Sequence, residues 1–293
     1  MPVDLHVHSW HSSDSFVPPP LIVERAVELG ISAIAITDHD TAAGVDEARG
    51  AARSVSERGE GELEIVPAAE LSVTYRPTGE AVHLLALFID PGDCRLAAYM
   101  ASAREVEARN FRLVIEGLTE RGQEISEAAV VESFREDHPG VPWDEPRYCY
   151  LYPYLVKTGA ASNEPSARSI LQKVIAGKHA QLGSYPMWPE AIAAVRSAGG
   201  VAVLAHPAHY SFSGRAFERA LRKMAAGGLG GIEALHRTHS IEDRAGFATM
   251  ARSLGLAITG GSDSHDAVND PVFGRLGVPD AVLEDIRRRS RRR

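Results

Sequence analysis

Short apolar runs that lead into histidine, aspartate or glutamate recur along the whole 293-residue chain, and they constrain its fold most strongly. The first run carries His6 and ends at His8, a later one leads into Asp38 and His39, and one near the carboxyl end leads into Asp263. Because the carboxyl ends of strands in an α/β barrel meet at one face, side chains placed there gather in one pocket. The pattern predicts a single site assembled from many strand ends.

Strand-like and helix-like runs alternate on both sides of a purely helical stretch. Residues 1–94 and 185–293 show the alternation, whereas 95–184 has helical periodicity and no comparable strand. The sequence therefore predicts an α/β fold in three parts, with a helical insertion at 95–184 and an arginine-rich tail after the second barrel part.

Two of the chemically interesting residues fall within predicted strands. We predict separate strands at 63–67 and 69–75 and a third at 81–88, with Pro77-Thr78-Gly79 as the turn before the third. Glu70 and His83 lie on the last two of these strands. The turn brings the two strands side by side, so both residues can serve the same pocket.

Composition narrows the class of protein. A hydrophobic content of 44% with 24% charge is ordinary for a soluble globular chain, and no apolar run reaches the roughly 20 residues of a membrane span. We predict a cytoplasmic protein, since the N-terminus lacks the pattern of a signal peptide.

The two cysteines, Cys94 and Cys149, argue against a disulfide framework. A net charge of −8 argues against broad nucleic-acid wrapping, and the terminal arginines are more typical of a solvated helix end.

Metal binding explains the polar strand ends better than packing does. His6 and His8 are two apart in a strand, so both side chains project to one face and can share an ion. Buried ionisable groups cost free energy unless they are paired or metal-bound. Imidazole with carboxylate suits zinc, manganese or iron. Several such ions would favour phosphoester hydrolysis by a metal-bound hydroxide.

Six ordered motifs span most of the chain. They read Asp4-Leu5-His6-Val7-His8-Ser9, Thr37-Asp38-His39-Asp40, Ala69-Glu70-Leu71-Ser72, Val82-His83-Leu84-Leu85, Ala205-His206-Pro207 and Gly261-Ser262-Asp263-Ser264-His265. Together they resemble the PHP family, the polymerase and histidinol phosphatase superfamily of metal-dependent phosphoesterases. The resemblance implies a distorted (β/α)7 TIM-like barrel with a trinuclear site at the carboxyl ends of its strands.

The resemblance also implies nine ligands for three divalent or trivalent ions of manganese, iron or zinc. The three implied sets are His6, His8, Glu70 and Asp263; Glu70, His83 and His206; and Asp14, His39 and His265. Asp38 and Asp40 are expected to assist catalysis by orienting ligand imidazoles through their other N–H.

The substrate is implied by the helical insertion, which resembles that of relatives acting on nucleoside 3′,5′-bisphosphates, AMP or short oligonucleotide 5′ ends. A small nucleotide and phosphate are thus the expected partners, and short oligonucleotides are a further candidate substrate. No protein or membrane partner is implied. Arg147 and Lys178 are expected phosphate contacts, and His209 is expected to contact phosphate and to act as a general acid. Arg147 in a salt bridge and Lys178 in a solvated loop are the simpler readings.

Cys149 and His209 stand where the nucleotide subgroup usually has histidine and arginine, so the substrate is less constrained than the reaction. A histidinol-phosphate-like phosphatase keeps the chemistry with another substrate. A 5′–3′ exonuclease on short oligonucleotides uses the same site. A catalytically weak nucleotide sensor would bind the nucleotide without turning it over. These three alternatives stay open at the level of sequence.

Overall fold

The computed structural model describes residues 2–12, 14–142 and 147–290, so Arg291, Arg292 and Arg293 of the arginine-rich tail lie outside the described residues. The chain divides into two compact units, Met1–Ala101 with Tyr185–Arg293, and Ser102–Ser184. The predicted insertion, 95–184, begins earlier because the helix Cys94–Thr119 continues across the boundary between the units. Within the described residues, no helix is long and apolar enough to cross a membrane.

Strands and helices alternate through the larger unit. Its first part contains β1 (Pro2–Val7), α1 (Pro19–Glu28), β2 (Ala33–Ile36), α2 (Gly44–Glu57), β3 (Glu64–Tyr75), β4 (Glu80–Leu87) and the start of α3 (Cys94–Thr119). The smaller unit contains the rest of α3, then α4 (Glu127–Asp137), α5 (Leu151–Lys157) and α6 (Glu164–Lys178). The larger unit resumes with α7 (Trp188–Ser197), β5 (Val201–Leu204), α8 (Gly214–Ala226), β6 (Gly231–His236), α9 (Ile241–Leu254), β7 (Ala257–Gly261), β8 (Val278–Pro279) and α10 (Asp280–Ser290).

The eight strands form one sheet in the order β7-β6-β5-β4-β3-β2-β1-β8. Its two sides approach each other where the Asp263 N–H donates to the His6 carbonyl at 2.8 Å and the His8 N–H donates to the Ser264 carbonyl at 2.9 Å. The sheet is therefore a nearly closed barrel. The predicted α/β fold, a distorted (β/α)7 barrel, is confirmed: β4 is the main distortion, because it runs antiparallel to both β3 and β5.

The prediction of separate strands at 63–67 and 69–75 is wrong, because β3 runs unbroken from Glu64 to Tyr75. Its first part pairs with β2 as far as Pro67, and its second part pairs with β4 from Ala68 onward. Pro67 lacks an N–H to donate, but it lies where the pairing changes from one neighbour to the other, so proline is tolerated there. One long strand thus connects two parts of the barrel.

Small and branched side chains from the strands pack into one buried cluster with α10. It includes Leu5, Val66, Leu85 and Val203, each 0% exposed, together with Leu283 of α10. The smaller unit has its own core, which contains Phe111, Leu151 and Leu171 among other buried residues. Each unit therefore has the separate hydrophobic core expected of a domain.

Candidate metal centre

The nine residues predicted as metal ligands lie together in the structure. His6, Glu70 and His83 lie on β1, β3 and β4, and the remaining six lie in segments that follow β1, β2, β5 and β7. Their ligand atoms form four overlapping groups, each with all its members within 4.8 Å of one another: His8, Asp14, His39 and His265; His6, Glu70 and His206; His6, His8 and Asp263; and His39, Glu70 and His83. The barrel thus brings strand ends that are far apart in sequence into one cluster.

Glu70 lies at the centre of the cluster and is only 1% exposed. Its Oε1 is 3.0 Å from His83 Nδ1 and 2.9 Å from His206 Nε2. Its Oε2 is 3.2 Å from the Nε2 atoms of both His6 and His8. One carboxylate therefore faces two separate pairs of imidazoles, as a bridging ligand would.

Two aspartates complete the cluster. Asp14 Oδ2 is 3.0 Å from His265 Nε2 and 3.3 Å from His39 Nε2. Asp263 Oδ1 is 3.2 Å from His8 Nε2. Each group of imidazoles therefore has at least one carboxylate oxygen at its centre.

The geometry of these contacts fits metal ions. Two ligands about 2.1 Å from one ion stand roughly 3.0 to 3.4 Å apart, which is the spacing of the contacts around Glu70. The buried atoms His8 Nε2 and His39 Nδ1 have no hydrogen-bond partner among the described residues. His83 Nδ1 lies 3.3 Å from His206 Nε2, and imidazole nitrogens are the commonest metal ligands in proteins. This donor set suits zinc, manganese or iron.

Buried charge shifts the pKa values of these groups. Desolvation lowers the pKa of His8, but the nearby carboxylates of Asp263 and Glu70 outweigh that effect and raise the pKa to about 10. Desolvation raises the pKa of Glu70, yet the charges of His83 and His6 hold it well below its usual value. In the absence of metal, protons on imidazoles thus balance the buried carboxylates, and an incoming cation displaces them.

Three residues that are candidate ligands or directly follow one have a strained backbone. Asp40, His206 and Asp263 have φ values of 51°, 23° and 53°, in the region that residues other than glycine rarely adopt. Such conformations cluster at functional sites because surrounding contacts hold them in place. The His206 N–H, for example, donates to Glu233 Oε2 at 2.8 Å.

Glu233 was not identified from the sequence, although it is fully buried beside the cluster. Its two oxygens lie 3.1 and 3.3 Å from His6 Nδ1, on the side of the ring opposite to Glu70. A carboxylate there orients the imidazole and fixes its proton on Nδ1, which leaves Nε2 free to bind a metal. The available signal was a lone acidic residue inside the apolar strand β6.

Two further polar residues missed from the sequence contact the predicted ligands. His236, at the end of β6, places Nε2 3.3 Å from Asp263 Oδ2. Ser12 Oγ is 3.0 Å from His8 Nδ1 and donates to Asp14 Oδ1 at 2.9 Å. His236 showed the same signal as the predicted ligands, a histidine at the end of an apolar run.

The hydrogen bonds that Asp38 makes with the described residues come from Ser9, and its expected role in orienting a ligand imidazole stays a prediction. Both of its oxygens accept from Ser9, one from the N–H at 2.6 Å and the other from the hydroxyl at 2.8 Å. Gly44 packs so closely that an added Cβ would lie 2.5 Å from Asp38 Oδ2. Asp38 therefore holds the segment after β1, and Asp40 Oδ1 accepts the Ser72 N–H on β3 at 2.9 Å.

His209 lies beside the cluster with its ring stacked on that of His206, 4.7 Å between centroids. Desolvation, followed by the charges of His206 and His236, lowers the pKa of His209 to about 4. The ring is therefore neutral near pH 7. This lowered pKa disfavours a general acid at neutral pH, since a neutral ring has no proton to spare for the leaving group, and the expected role of His209 stays a prediction.

Arg147 and Lys178 belong to the smaller unit. Arg147 is buried and precedes a short 3₁₀ turn, Tyr148–Tyr150. Lys178 is the last residue of α6, is also buried, and donates from Nζ to Glu120 Oε1 at 2.7 Å. Lys178 is therefore not the solvated loop residue of the simpler reading. Substrate contact stays a prediction for both residues.

Comparison with known proteins gives the family. The PHP domain model matches residues 4–126. A 3′,5′-nucleoside bisphosphate phosphatase from Chromobacterium violaceum is 30% identical over 90% of this chain and 87% of its own. A phosphoribosyl 1,2-cyclic phosphate 1,2-diphosphodiesterase from Eggerthella lenta is 32% identical over 93% of this chain and 95% of its own. The chain belongs to the PHP domain family.

Two further relatives of this PHP-domain chain match nearly its whole length. A 5′-3′ exoribonuclease from Haemophilus influenzae is 28% identical over 96% of each chain. A crystal structure from Bifidobacterium adolescentis, described as that of a metal-dependent phosphoesterase, is 29% identical with a TM-score of 0.79 and covers 99% of this chain and 98% of its own. The PHP-domain chain is a metal-dependent phosphoesterase, and thus a hydrolase, whereas its relatives differ in substrate.

Proposed function

We propose that this PHP-domain phosphoesterase removes a phosphate from a small nucleotide, a nucleoside 3′,5′-bisphosphate or AMP, at a centre of three metal ions. The observation that carries the proposal is the gathering of imidazole and carboxylate groups around the buried Glu70. The similarity to the bisphosphate phosphatase, over nearly the whole of both chains, supports a nucleotide as the substrate.

The contacts support the ligand sets implied by the sequence. His6, His8, Glu70 and Asp263 would hold one ion, Glu70, His83 and His206 a second, and Asp14, His39 and His265 the third. Manganese, iron and zinc all suit these donors. When bound, such ions neutralise phosphate oxygens and supply an activated water for in-line attack.

The side chains of this PHP domain contribute by holding the ligands in place before substrate arrives. Glu70 links two of the sets, and Glu233 fixes both the His6 ring and the His206 backbone. Ser12 fixes the His8 ring and Asp14. Because preorganised groups need little rearrangement during the reaction, such contacts lower the barrier without forming a covalent intermediate.

The proposal is tested with a panel of substrates. Metal-free protein is reconstituted with manganese, and inorganic phosphate is measured from adenosine 3′,5′-bisphosphate, AMP, histidinol phosphate and a ribose 1,2-cyclic phosphate. We expect the fastest release from one of the two nucleotides. Release from histidinol phosphate alone, or from no compound while metal content is complete, would contradict the proposal.

A second candidate function is 5′–3′ exonuclease activity on short RNA. The exoribonuclease of Haemophilus influenzae favours it, because its similarity covers 96% of each chain. Short 5′-phosphorylated RNA included in the same panel separates the two functions. Mononucleotides released from the 5′ end faster than phosphate from the bisphosphate would favour the exonuclease.

A further inference from the structure

A chain of hydrogen bonds with no assigned role leads from the surface to the candidate metal ligand Asp263. His209 Nε2 is 2.9 Å from Thr238 Oγ1, and Thr238 Oγ1 is 2.8 Å from His236 Nδ1. His236 Nε2 is 3.3 Å from Asp263 Oδ2. His236 is fully buried, whereas Thr238 and His209 are exposed. The chain thus joins the buried cluster to a ring that solvent and substrate can reach.

The Thr238 N–H and the Asp263 carboxylate favour one direction for the donors and acceptors along this chain. The Thr238 N–H also donates to His236 Nδ1 at 3.3 Å, so Nδ1 is an acceptor and the proton of His236 is on Nε2, facing the Asp263 carboxylate. The Thr238 hydroxyl then donates to the same Nδ1. Its oxygen is therefore left to accept from His209 Nε2–H, and the neutral His209 ring carries its lone pair on Nδ1.

We propose that this directed chain makes His209 Nδ1 a hydrogen-bond acceptor for a hydroxyl group that neighbours the scissile phosphate of the substrate. An ionised phosphate oxygen has no proton to donate, so it cannot pair with this nitrogen. The inference rests on the proposed nucleotide phosphatase function. In a ribonucleoside 3′-phosphate the neighbouring hydroxyl is the 2′-hydroxyl of the ribose.

The position of His209 supports a contact close to the reacting phosphate. Its ring stacks on that of the candidate ligand His206, 4.7 Å between centroids, and among the described residues its hydrogen bond is made through Nε2. The expected role of His209 as a phosphate contact is thus replaced by recognition of a donor group. The resulting preference is for a ribonucleotide over its 2′-deoxy counterpart.

The first test reads the tautomer directly. Long-range ¹H–¹⁵N NMR of the imidazoles is recorded on zinc-loaded protein at pH 8.5, above the ordinary imidazole pKa of about 6.5. The variant His209→Gln assigns the signal. We expect the Nε2–H form in the wild type and a mixture of tautomers in Thr238→Val. A wild-type ring protonated on Nδ1, or no change in Thr238→Val, would overturn the inference.

The second test measures recognition. We compare kcat/KM for adenosine 3′,5′-bisphosphate and its 2′-deoxy analogue. We expect kcat/KM of the wild type to be roughly two- to tenfold higher for the ribonucleotide, which is the ratio that the free energy of one hydrogen bond produces. His209→Phe keeps the ring stack but removes the acceptor, so the preference should vanish; Thr238→Val should reduce it. The matched control Thr249→Val alters a hydroxyl bonded within α9 and should keep the preference.

The two tests separate failure of this inference from failure of the proposed function. Hydrolysis of both nucleotides at equal rates, or a preference that survives His209→Phe, overturns the inference and leaves the phosphatase intact. If neither nucleotide is hydrolysed by metal-loaded protein, the proposed function fails and the recognition of a hydroxyl fails with it. Metal content, measured for each variant, excludes loss of the metal centre as the cause.

Discussion

At the scale of single residues, Glu70 connects the candidate metal centre, because its two oxygens face imidazoles of two different ligand sets. A buried carboxylate in such a place is stable only when cations or protons compensate it. Removing its charge should therefore disturb both sets at once, whereas removing a ligand from one set should disturb mainly that set.

We expect Glu70→Gln to lose bound metal and to lower phosphatase turnover by at least roughly 100-fold, more than the loss of an outer hydrogen-bond partner costs. Metal content by mass spectrometry and turnover are measured on the same samples. Glu47→Gln is the matched control, because Glu47 contacts His11 at 2.9 Å but no candidate ligand. Full metal content in Glu70→Gln would contradict the bridging role.

Glu233 is expected to act through the ligands His6 and His206 rather than on substrate. Glu233→Gln should weaken metal binding by roughly 10- to 100-fold, because the His6 ring loses its orienting charge. The measurement is a competition titration with a metal chelator, with the exposed Glu242→Gln as control. An unchanged affinity would show that His6 needs no carboxylate on Nδ1.

Metal binding should release protons. Around His6 and His39, as around His8, the carboxylates outweigh desolvation and raise the pKa, and His8, with a pKa of about 10, is protonated at pH 7.5 in the absence of metal. Affinity should therefore rise with pH towards the raised pKa values, about 10 for His8, and fall in acid. Calorimetric titration with manganese in two buffers of different ionisation heat measures the protons, and equal heats would contradict the expectation.

The residues at strand ends could be predicted from the sequence because they are ionisable and yet directly follow apolar runs that are typical of buried strands. This pattern can be recognised in the sequence alone. Glu233 was missed because a lone acidic residue inside β6 does not show which group it contacts, and its pairing with His6 is made across the barrel. The hydrogen-bond partner of Asp38 could not be predicted, because it depends on the path of the segment after β1. A contact between segments distant in sequence leaves no local pattern.

At the scale of secondary-structure elements, glycines allow the close approach that closes the barrel. A Cβ on Gly261 would lie 2.4 Å from the His6 nitrogen and 2.8 Å from its Cα, so β7 and β1 approach more closely than side chains allow. The Asp263 N–H and the His8 N–H make the hydrogen bonds of this closure. Both strands carry or precede candidate ligands, so closure and site depend on each other.

We expect Gly261→Ala to destabilise the protein by about 1 to 3 kcal/mol or more, because the added methyl collides with the β1 backbone. Gly246→Ala is a suitable contrast, since Gly246 lies in α9 with no neighbouring atom within 4 Å of an added Cβ. That change should stabilise by about 0.5 to 1 kcal/mol. Chemical unfolding of metal-free protein measures both, and an unchanged stability of Gly261→Ala would be inconsistent with the close packing.

Most strands could be predicted because they are continuous apolar runs between turn residues. β3 was divided in error because Pro67 normally ends a strand, and its tolerance depends on which neighbour pairs at that point. Helix α8 was not predicted, although Phe217, Leu221 and Met224 form its buried stripe. Polar residues separate these apolar residues in the sequence. The apolar residues therefore indicate a helix only when their spacing of three and four residues is considered.

At the scale of the whole molecule, similarity covers nearly the entire chain, yet relatives of comparable identity have names with different substrates. The barrel and its ligands account for the shared phosphoester chemistry. In our proposal, substrate choice depends on side chains around the ligands, such as His209, which sequence motifs constrain less. The reaction class could therefore be predicted from the sequence, whereas the substrate needs measurement.

The most direct test of the central claim is phosphate release from adenosine 3′,5′-bisphosphate as manganese is added stepwise to metal-free protein. If the nine side chains hold three ions that act together, release should begin only after metal is added and reach its maximum at three equivalents per chain. Full activity in the presence of excess chelator, or no release from protein with its metal content complete, would contradict the account.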